Sequence, residues 1–446
     1  MKRTITQALL DWRDRETRKP LILRGARQVG KTYSLLEFGK NHFPRFYYVN
    51  FERDVRAREL FDKNLDPARI LDDLQLYFDS AINQPTDLII FDEIQHCPHA
   101  LTSLKYFHEQ SPQLAICAAD SLLGVTLTGE SFPVGKVSFL DLYPMNFEEF
   151  LEGIGKERLV NSVRSYVFTK PLPQIAHDQL WEHWKQYLIV GGLPEVVATY
   201  RNKMDNQYES LKATREIQRD LLETYMGDIA KHSGKTNALH IERLWRNVTH
   251  QLARSQDGST SKFKFKDAVP GIRGYDRLAS PMDWLEKANL TIRTSIIERA
   301  ETPLRGFSKE NRFKQYFFDV GLLGAFSDIE PVHFLDFDFK TYKGYVAENF
   351  VAQEFRASGI QNLYCWVGRM AEIEFLIEAA FGIVPIEVKS GNVTRSKSLN
   401  VYEERYSPQK SIVLSARNIE SRNPRIHVPI YLAGAIKNHL MKRETP

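Results

Sequence analysis

The first 150 residues alternate short apolar runs with stretches of amphipathic, helix-like spacing. Four apolar runs bounded by glycine, proline or charged residues predict strands, at 21–23, 46–51, 87–91 and 114–119. Helical spacing of apolar residues predicts helices between these runs, at 33–40, 55–63 and 67–82. Strands that alternate with helices in this way predict a doubly wound, parallel α/β sheet.

The pattern changes after residue 150. Residues 150–235 predict helices, with a sharp break at Gly191-Gly192-Leu193-Pro194. The next region predicts, in order, a helix, a polar Gly/Ser insert, alternating Lys and Phe, a helix and a strand, at 239–253, 254–261, 262–266, 274–288 and 290–298. The last region predicts a helix and then three strands, at 344–355, 363–367, 372–378 and 382–389. We therefore expect four regions, at 1–150, 151–235, 236–305 and 306–446.

Composition narrows the class of protein without identifying a function. At 446 residues the chain is long for one domain, and 43% hydrophobic with 26% charged residues is typical of a globular protein with an ample core. A net charge of +4 is compatible with nucleic acid but is no evidence for it. Cys97, Cys117 and Cys365 are scattered, so they predict buried thiols and not a disulfide framework or a zinc site. No apolar run reaches roughly 18 residues, and we expect a cytoplasmic chain without a membrane-spanning segment.

The first predicted strand runs into a glycine-rich loop of the form Gly-x-x-x-x-Gly-Lys-Thr, which then opens a helix. In this setting the glycines let backbone N–H groups point inward and form a phosphate cradle at a helix N-terminus. Lys31 is expected to reach the β- and γ-phosphates of a nucleoside triphosphate, and the Thr32 hydroxyl to ligate Mg²⁺. A chance glycine loop is the alternative. The predicted nucleotide-binding residues are Gly25, Ala26, Arg27, Gln28, Val29, Gly30, Lys31 and Thr32.

The third predicted strand delivers two acidic residues, Asp92 and Glu93, at its end. A parallel strand that is buried on both faces reads as a continuous apolar run, as this one does. We predict that Asp92 holds Mg²⁺ and that Glu93 polarises the attacking water as a catalytic residue together with Lys31. The alternative is an acidic cap on the next helix. After the following strand, Asp120 or Ser121 is placed to sense the γ-phosphate, and a simple strand-end turn is equally compatible with the pattern.

Five segments resemble a family of prokaryotic AAA-type P-loop ATPases in which a C-terminal domain of poorly defined function follows the ATPase. The segments are RGARQVGKT, FDEIQHCP, LYPMNFEEFL, GGLPEVV and FKQYFFDVGLL. The resemblance runs from about Leu21 to Ser390 and implies an α/β P-loop NTPase domain that binds ATP and Mg²⁺, followed by a helical lid. Members often carry Thr-Gly-Ser where this chain has Ala118-Ala119-Asp120, and an arginine where it has Lys136. Both departures concern the sensing of the γ-phosphate, and hence the rate of hydrolysis, but not nucleotide binding.

AAA-type ATPases often place an arginine from a neighbouring segment or subunit on the γ-phosphate. Arg215 and Arg219 lie in a helical stretch with charges of both signs and are candidates for this role. A surface salt bridge is the more frequent use of arginines in such a stretch.

Residues 236–305 predict a winged-helix-like module, because the region combines two or three helices with a short predicted hairpin. The period-two alternation in 262–266 would put Phe263 and Phe265 on one face and the lysines on the other. The lysines would then either touch the phosphates of nucleic acid or protect a solvated edge strand. The pattern favours neither interpretation.

The last region resembles the core of PD-(D/E)xK nucleases, an α/β restriction-endonuclease-like fold. The helix residue Glu348 precedes the strand acid Glu374 and the Glu-x-Lys pair of Glu387 and Lys389. The resemblance implies that Glu374 and Glu387 ligate Mg²⁺, that Lys389 orients the water, and that Glu348 is a further ligand or an orienting group. That core usually has Asp in place of Glu374, whose extra methylene moves the carboxylate by about 1.5 Å. An active nuclease, an inactive nuclease-like domain and plain ionic pairs on paired strands all stay open.

The sequence therefore predicts an ATP-binding and ATP-hydrolysing regulator with a nuclease-like C-terminal domain. Two alternatives stay open, an ATP-gated, Mg²⁺-dependent DNA nuclease and a non-catalytic DNA- or protein-binding switch controlled by nucleotide. The expected partner is ATP, and no association with a membrane is expected. DNA, a protein partner and self-association are left open as further partners.

Overall fold

A computed structural model describes residues 1–121, 132–254, 262–266, 268–335, 342–369, 371–392 and 396–441. The described residues fall into two compact units. The first comprises 2–143 and 287–289, and the second comprises residue 1, 144–286 and 290–446. Most of the polar insert expected at 254–261 lies outside the described residues. Within the described chain, no helix combines the length and the apolar character needed to cross a membrane.

As far as the structure describes it, the first unit is a five-stranded parallel sheet between helices. Its strands β1 to β5 are Leu21–Arg24, Phe46–Asn50, Leu88–Asp92, Ala115–Asp120 and Ser138–Asp141. Its α-helices are Ile5–Arg13, Lys31–His42, Val55–Glu59, Pro67–Phe78 and Pro98–Gln110. Every pairing is parallel, in the order β2-β3-β4-β1-β5. The predicted doubly wound α/β sheet of a P-loop NTPase is confirmed.

The three inner strands of this sheet, β3, β4 and β1, determine where its polar residues lie. β3 and β4 are buried along their whole length, as their continuous apolar sequence requires. Phe51, Phe61 and Phe91 pack together beside them, with ring centroids 5.4–5.7 Å apart. Because parallel strands end at the same edge of a sheet, the polar residues that follow β1, β3 and β4 come out beside one another. The candidate nucleotide site lies at this edge.

The second unit combines helices with a mixed sheet of eight described strands in the order β12-β13-β11-β10-β9-β8-β6-β7. Strands β6 to β13 are Thr291–Ile297, Ser308–Phe317, Leu363–Val367, Glu372–Ala379, Gly382–Val388, Ser411–Ser415, Glu420–Arg422 and Arg425–Pro429. The α-helices that precede the sheet are Phe147–Gly153, Glu157–Arg164, Gln174–Val190, Pro194–Asn202, Gln207–His232, Lys235–Arg254 and Ala279–Lys287. Those within and after it are Val320–Phe326, Pro331–Leu335, Tyr342–Ala357, Lys397–Tyr406 and Ile436–Met441.

The expected wing strand at 262–266 is not a strand in the structure. Instead, Phe263 is buried, its N–H donates to the carbonyl of Phe313 on β7 (2.7 Å), and its ring stacks on the Phe313 ring. The alternation of exposed Lys and inward Phe is as predicted, but it comes from this aromatic packing and not from a β-ladder. Strand β6 pairs antiparallel with β7 and parallel with β8, so the expected boundary between residues 305 and 306 falls inside one sheet.

Two motifs that are far apart in the chain meet inside the second unit. The carboxylate of Asp319, which is only 1% exposed, accepts hydrogen bonds from the N–H groups of Gly192 (2.7 Å) and Leu322 (2.9 Å). Burial raises the pKa of Asp319 to about 6, although these backbone donors oppose the rise. Gly191 has a left-handed φ of 72°, and a Cβ at Gly192 would lie 2.1 Å from the carbonyl oxygen of Met145. The glycine pair is therefore required by a close approach of backbones.

The Gly192→Ala substitution is expected to destabilise the second unit by about 2–3 kcal/mol, because the new methyl overlaps backbone atoms that cannot move aside cheaply. Gly227→Ala is the matched control, since Gly227 is inside helix Gln207–His232 and its Cβ would meet nothing within 4 Å. That control is expected to stabilise the helix by up to about 1 kcal/mol. Urea unfolding of both variants measures the difference, and equal effects would contradict the steric argument.

Candidate functional site

The loop between β1 and helix Lys31–His42 has the backbone geometry of a phosphate cradle. Gly25 and Gly30 have φ values of 156° and 94°, and a Cβ at Gly25 would lie 2.2 Å from the carbonyl oxygen of Leu142. Gly30 is the N-cap of the helix, so the free N–H groups of the first turn face the loop. The positive end of the helix dipole points to the same place, which favours an anion there.

The other loop residues separate into buried and outward positions. Ala26 and Val29 are buried, Arg27 is half-buried, and Gln28 is exposed with a left-handed φ of 63°. Arg3, which sequence reasoning missed, holds the loop from outside: its guanidinium donates to the carbonyl oxygens of Val29 (2.8 Å) and Tyr143 (2.7 Å). Arg3 thus connects the loop to the segment that follows β5.

Lys31 is buried at the start of the helix. Its ammonium donates to the carbonyl oxygens of Gly25 (3.0 Å) and Ala26 (2.8 Å), and the residue is 7% exposed. Burial lowers the pKa of Lys31 to about 8, although the carboxylates of Glu93, Asp120 and Asp92 oppose this shift. An ammonium group that is poorly solvated and points into the loop is well placed to exchange carbonyl oxygens for phosphate oxygens.

Nucleotide binding is expected to weaken as the pH rises through 8, the pKa of Lys31. Phosphate attracts the ammonium form, so the bound anion raises this pKa and binding takes up protons once Lys31 is partly deprotonated. The dissociation constant should increase by up to about tenfold per pH unit above that pKa. Calorimetric titration in two buffers of different ionisation enthalpy measures the proton uptake. Uptake should vanish below about pH 7, where Lys31 is already charged, and a flat response through pH 9 would contradict the prediction.

Asp92 is held by side chains from two other elements. The Thr32 hydroxyl is 3.1 Å from each carboxylate oxygen, and Oδ2 also accepts from the hydroxyl of Tyr48 (2.7 Å) and the side-chain amide of Asn50 (3.1 Å). Burial raises the pKa of Asp92, while the bonds from Tyr48 and Thr32 oppose the rise. Hydroxyl and carboxylate oxygens that converge in this way are the donors that Mg²⁺ prefers. The residues present therefore fit the predicted Mg²⁺ site.

Glu93 is positioned by an unusual backbone conformation and by two side chains. Its φ is 51°, in the left-handed region that few residues other than glycine adopt. Its carboxylate accepts hydrogen bonds from the Gln95 amide and from the Ser121 hydroxyl (3.2 Å). Ser121 follows β4, which lies between β1 and β3 in the sheet. The strand-end residue considered for sensing the γ-phosphate thus contacts the proposed catalytic carboxylate.

A second polar cluster lies in the second unit, on β7, β9, β10 and helix Tyr342–Ala357. It contains the predicted residues Glu348, Glu374, Glu387 and Lys389, and also Lys314, Tyr316 and Glu372, which sequence reasoning missed. Lys389 pairs with the carboxylate of Glu387, and the N–H of Val388 donates to Glu374 (3.1 Å). Burial, with the nearby charges of Glu348 and Glu387, raises the pKa of Glu374 to about 8.

Ammonium groups pair with two of the predicted metal ligands of this cluster. Lys314 pairs with Glu348 and Glu372, and Lys389 pairs with Glu387. Among the residues that the structure describes, no group of three His, Cys, Asp or Glu side chains is arranged to hold a metal ion. The assignment of Glu348, Glu374 and Glu387 as Mg²⁺ ligands stays a prediction.

Residues 17–151 match the family model of an AAA domain. This region is similar to AAA domains. Residues 181–333 and 343–432 match two models described as domains of unknown function, DUF8612 and DUF4143. No curated protein matches the chain.

Solved structures with low sequence identity resemble the chain. The Walker-type ATPase PABY2304 of Pyrococcus abyssi is 14% identical over 72% of this chain and 94% of its own, with a TM-score of 0.43. The ORC1 protein of Aeropyrum pernix in complex with DNA is 14% identical over 74% and 91%, with a TM-score of 0.30. The RuvB Holliday junction branch migration motor of Thermotoga maritima is 16% identical over 65% and 87%, with a TM-score of 0.31. At these values we infer no function from the similarities.

Arg215 and Lys136 each contact groups of their own unit. Arg215 is buried, and its guanidinium donates to the side chain of Gln218 (2.9 Å) and the carbonyl of Ile329 (2.9 Å), so its donors serve the interior of the second unit. The expectation of a surface salt bridge is wrong for Arg215, whereas Arg219 is exposed. In the AAA domain, Lys136 forms a half-exposed ion pair with Glu109 (3.1 Å).

The residues that hold Asp92 could have been found from one signal. Tyr48 and Asn50 are two apart on β2 and thus face the same side of the sheet, and Asn50 pairs with Asp92 in the parallel register. A polar residue at the end of a strand next to the acidic strand is therefore a candidate partner. Arg3 and Gln95 carry no comparable signal.

Proposed function

We propose that this protein binds ATP with Mg²⁺ in its AAA domain and hydrolyses it, and that the nucleotide state regulates what the second unit binds. The observation that carries the proposal is the convergence of Lys31, Thr32, Asp92 and Glu93 at the carboxyl edge of the parallel sheet. These groups supply a positive charge, a hydroxyl–carboxylate pair and a proton acceptor, which are the parts that phosphoryl transfer to water requires.

Each residue has one task in this mechanism. The loop N–H groups and Lys31 bind the β- and γ-phosphates, and Thr32 and Asp92 would hold Mg²⁺. When bound, Mg²⁺ neutralises the charge that develops on the phosphate oxygens. Glu93 orients the attacking water and accepts its proton, and Gln95 and Ser121 fix the Glu93 carboxylate. Tyr48 and Asn50 keep Asp92 aligned with Thr32.

The direct test is ATP binding and phosphate release by the full chain, with Mg²⁺ and with excess EDTA. We expect binding and Mg²⁺-dependent release of phosphate, and no release with EDTA. Binding without release would restrict the domain to a nucleotide-controlled switch. Absence of both would overturn the proposal.

DNA is the second candidate partner, and the segment 262–277 favours it. This segment contains five Lys or Arg residues and two Asp residues, whereas the net charge of the whole chain is +4. Lys262, Lys264 and Lys266 are exposed, and no ion pair to them is present among the described residues. Phe263 and Phe265 pack on Phe313, which keeps the three lysines on the outer side. A fixed row of lysines suits a phosphate backbone.

The affinity for duplex DNA is expected to fall linearly with the logarithm of salt concentration. Replacing Lys262, Lys264 and Lys266 together by alanine should lower the steepness of that line by about 2.7, which is about 0.9 for each phosphate that a lysine no longer neutralises. The matched control replaces three other exposed lysines by alanine, at positions 40, 63 and 170. Equal losses in both triple variants, or no salt dependence, would reject this surface. Repeating the titration with and without ATP tests nucleotide control.

For the C-terminal region we propose a nuclease-like fold that binds without cutting. Helix Tyr342–Ala357 precedes the antiparallel strands β8, β9 and β10, and helix Lys397–Tyr406 then leads to β11, which pairs parallel with β10. The acids on β9 and β10 lie on neighbouring strands, which supports the resemblance. The test is plasmid DNA with ATP and Mg²⁺ or Mn²⁺, where we expect no nicking. Nicking that is lost in Lys389→Ala would establish the nuclease instead.

A further inference from the structure

Lys314 is a buried positive charge within the C-terminal carboxylate cluster. It belongs to β7, is 5% exposed, and pairs through its ammonium with Glu348 (3.2 Å) and with Glu372. The hydroxyl of Tyr316 donates to the same Glu348 oxygen (2.8 Å). A buried charge is tolerated only when it is paired and hydrogen-bonded, and Lys314 satisfies this condition with two carboxylates at once.

The expected metal ligands already have other donors. Glu348 accepts from Lys314 and Tyr316, Glu374 from the N–H of Val388, and Glu387 from Lys389. Mg²⁺ demands near-octahedral oxygen coordination. Carboxylates that are separately engaged by ammonium and amide donors do not provide it. The cluster and the metal that its resemblance implies therefore do not fit.

The cluster nevertheless attracts positive charge. Glu387 is 1% exposed, and its Oε2 has no hydrogen-bond partner among the described residues. The side chain of Lys314 is 6% exposed, whereas those of Glu348, Glu372 and Lys389 are 19%, 28% and 29% exposed, so the cluster is open to solvent on their side.

We infer that the ammonium of Lys314 is the resident cation of this cluster, in the place where a nuclease-like site would hold a divalent metal ion. The inference rests on the nuclease-like fold proposed above for the C-terminal region. It gives the reason why this domain would bind without cutting, since one fixed ammonium balances charge but activates no water.

The test removes Lys314 and asks whether a metal takes its place. The double variant K314M/E372Q removes one positive and one negative charge, so the net charge of the cluster is unchanged, and it leaves the three predicted ligands Glu348, Glu374 and Glu387. Binding of Mn²⁺ is measured by electron paramagnetic resonance without nucleotide, each protein being compared with its own E374Q derivative. We expect no E374Q-sensitive Mn²⁺ in the wild type and one such ion per chain in K314M/E372Q. Lys314→Arg, which keeps the charge, should behave as the wild type.

Each other result has a definite meaning. If the wild type binds Mn²⁺ that E374Q removes and does not nick DNA, the inference alone is overturned. If the wild type nicks DNA in a way that depends on Lys389, the proposed binding role is overturned as well. A folded K314M/E372Q that binds no Mn²⁺ would also overturn the inference. Folding is checked by ATP binding and by thermal unfolding. If the double variant does not fold, Mn²⁺ binding is measured on Lys314→Gln and on its own E374Q derivative. Mn²⁺ is then expected to raise the melting temperature of Lys314→Gln.

Discussion

Replacing Lys31 by alanine is expected to abolish nucleotide binding and, with it, phosphate release. The Lys31 side chain interacts with the loop through its ammonium, which donates hydrogen bonds to the carbonyl oxygens of Gly25 and Ala26. Alanine is a strong helix former, so the helix should still start at residue 31. The phosphates would then meet a loop without its central positive charge. We expect the affinity for ATP to fall by at least about 100-fold, which is about 2.8 kcal/mol.

The matched control for this variant is Lys40→Ala. Lys40 is exposed near the end of the same helix and makes the same change of net charge when it is replaced. Its affinity for ATP should stay within about twofold of the wild type, because an exposed charge at that distance is screened. Equilibrium titration with a fluorescent ATP analogue measures both variants. Tight binding by Lys31→Ala would remove the basis for assigning this loop as the nucleotide site.

Replacing Glu93 by glutamine is expected to separate binding from hydrolysis. The change keeps the size of the side chain, and the amide oxygen of the new residue can still accept from Gln95 and Ser121. It removes the carboxylate that, in the proposed mechanism, accepts the proton of the attacking water. A positioned general base contributes about 10²–10⁴-fold to a rate, and we expect a loss of that size in the turnover number. The affinity for ATP should change by less than about threefold, because Lys31, Thr32 and Asp92 are untouched.

Glu59→Gln provides the control for charge, since Glu59 is an exposed residue of the same unit. Steady-state phosphate release and equilibrium ATP binding are measured on both variants. A Glu93→Gln protein that hydrolyses ATP at the wild-type rate would show that another group activates the water. A variant that loses binding as well would show that Glu93 shapes the site instead of acting in the chemical step.

Much of the first unit could be predicted because its signals are local. The strand, the loop and the start of the helix follow from a short stretch of sequence, which contains an apolar run, two glycines, a lysine and a threonine. Each of these elements depends on neighbours along the chain. The acidic pair after β3 was predictable for the same reason. The partners of Asp92 were predictable only as candidates, because the pairing of β2 with β3 is what brings Tyr48 and Asn50 to it. Arg3 likewise reaches the loop from the N-terminal end of the chain.

The second unit was less predictable because its elements depend on distant contacts. The Lys/Phe alternation at 262–266 predicts a strand, but no strand of the described chain pairs with it, and packing on Phe313 replaces the ladder. Arg215 has the charge pattern of a surface residue, yet it is buried, and its guanidinium donates to the amide oxygen of Gln218 on its own helix and to the distant carbonyl of Ile329. Local propensity is overridden wherever tertiary contacts provide more hydrogen bonds and buried area.

The sequence by itself determined the parallel α/β sheet, the phosphate loop and the acidic residues after β3, because each of these depends on residues that are close in the chain. Only the tertiary structure decided what surrounds the carboxylates of the second unit. Lys314 is on β7, at the far end of the sheet order from β10, and no spacing in the chain relates it to Glu348 or Glu372. Strand order and side-chain reach brought an ammonium group among these carboxylates, and that position is set by long-range pairing and not by local pattern.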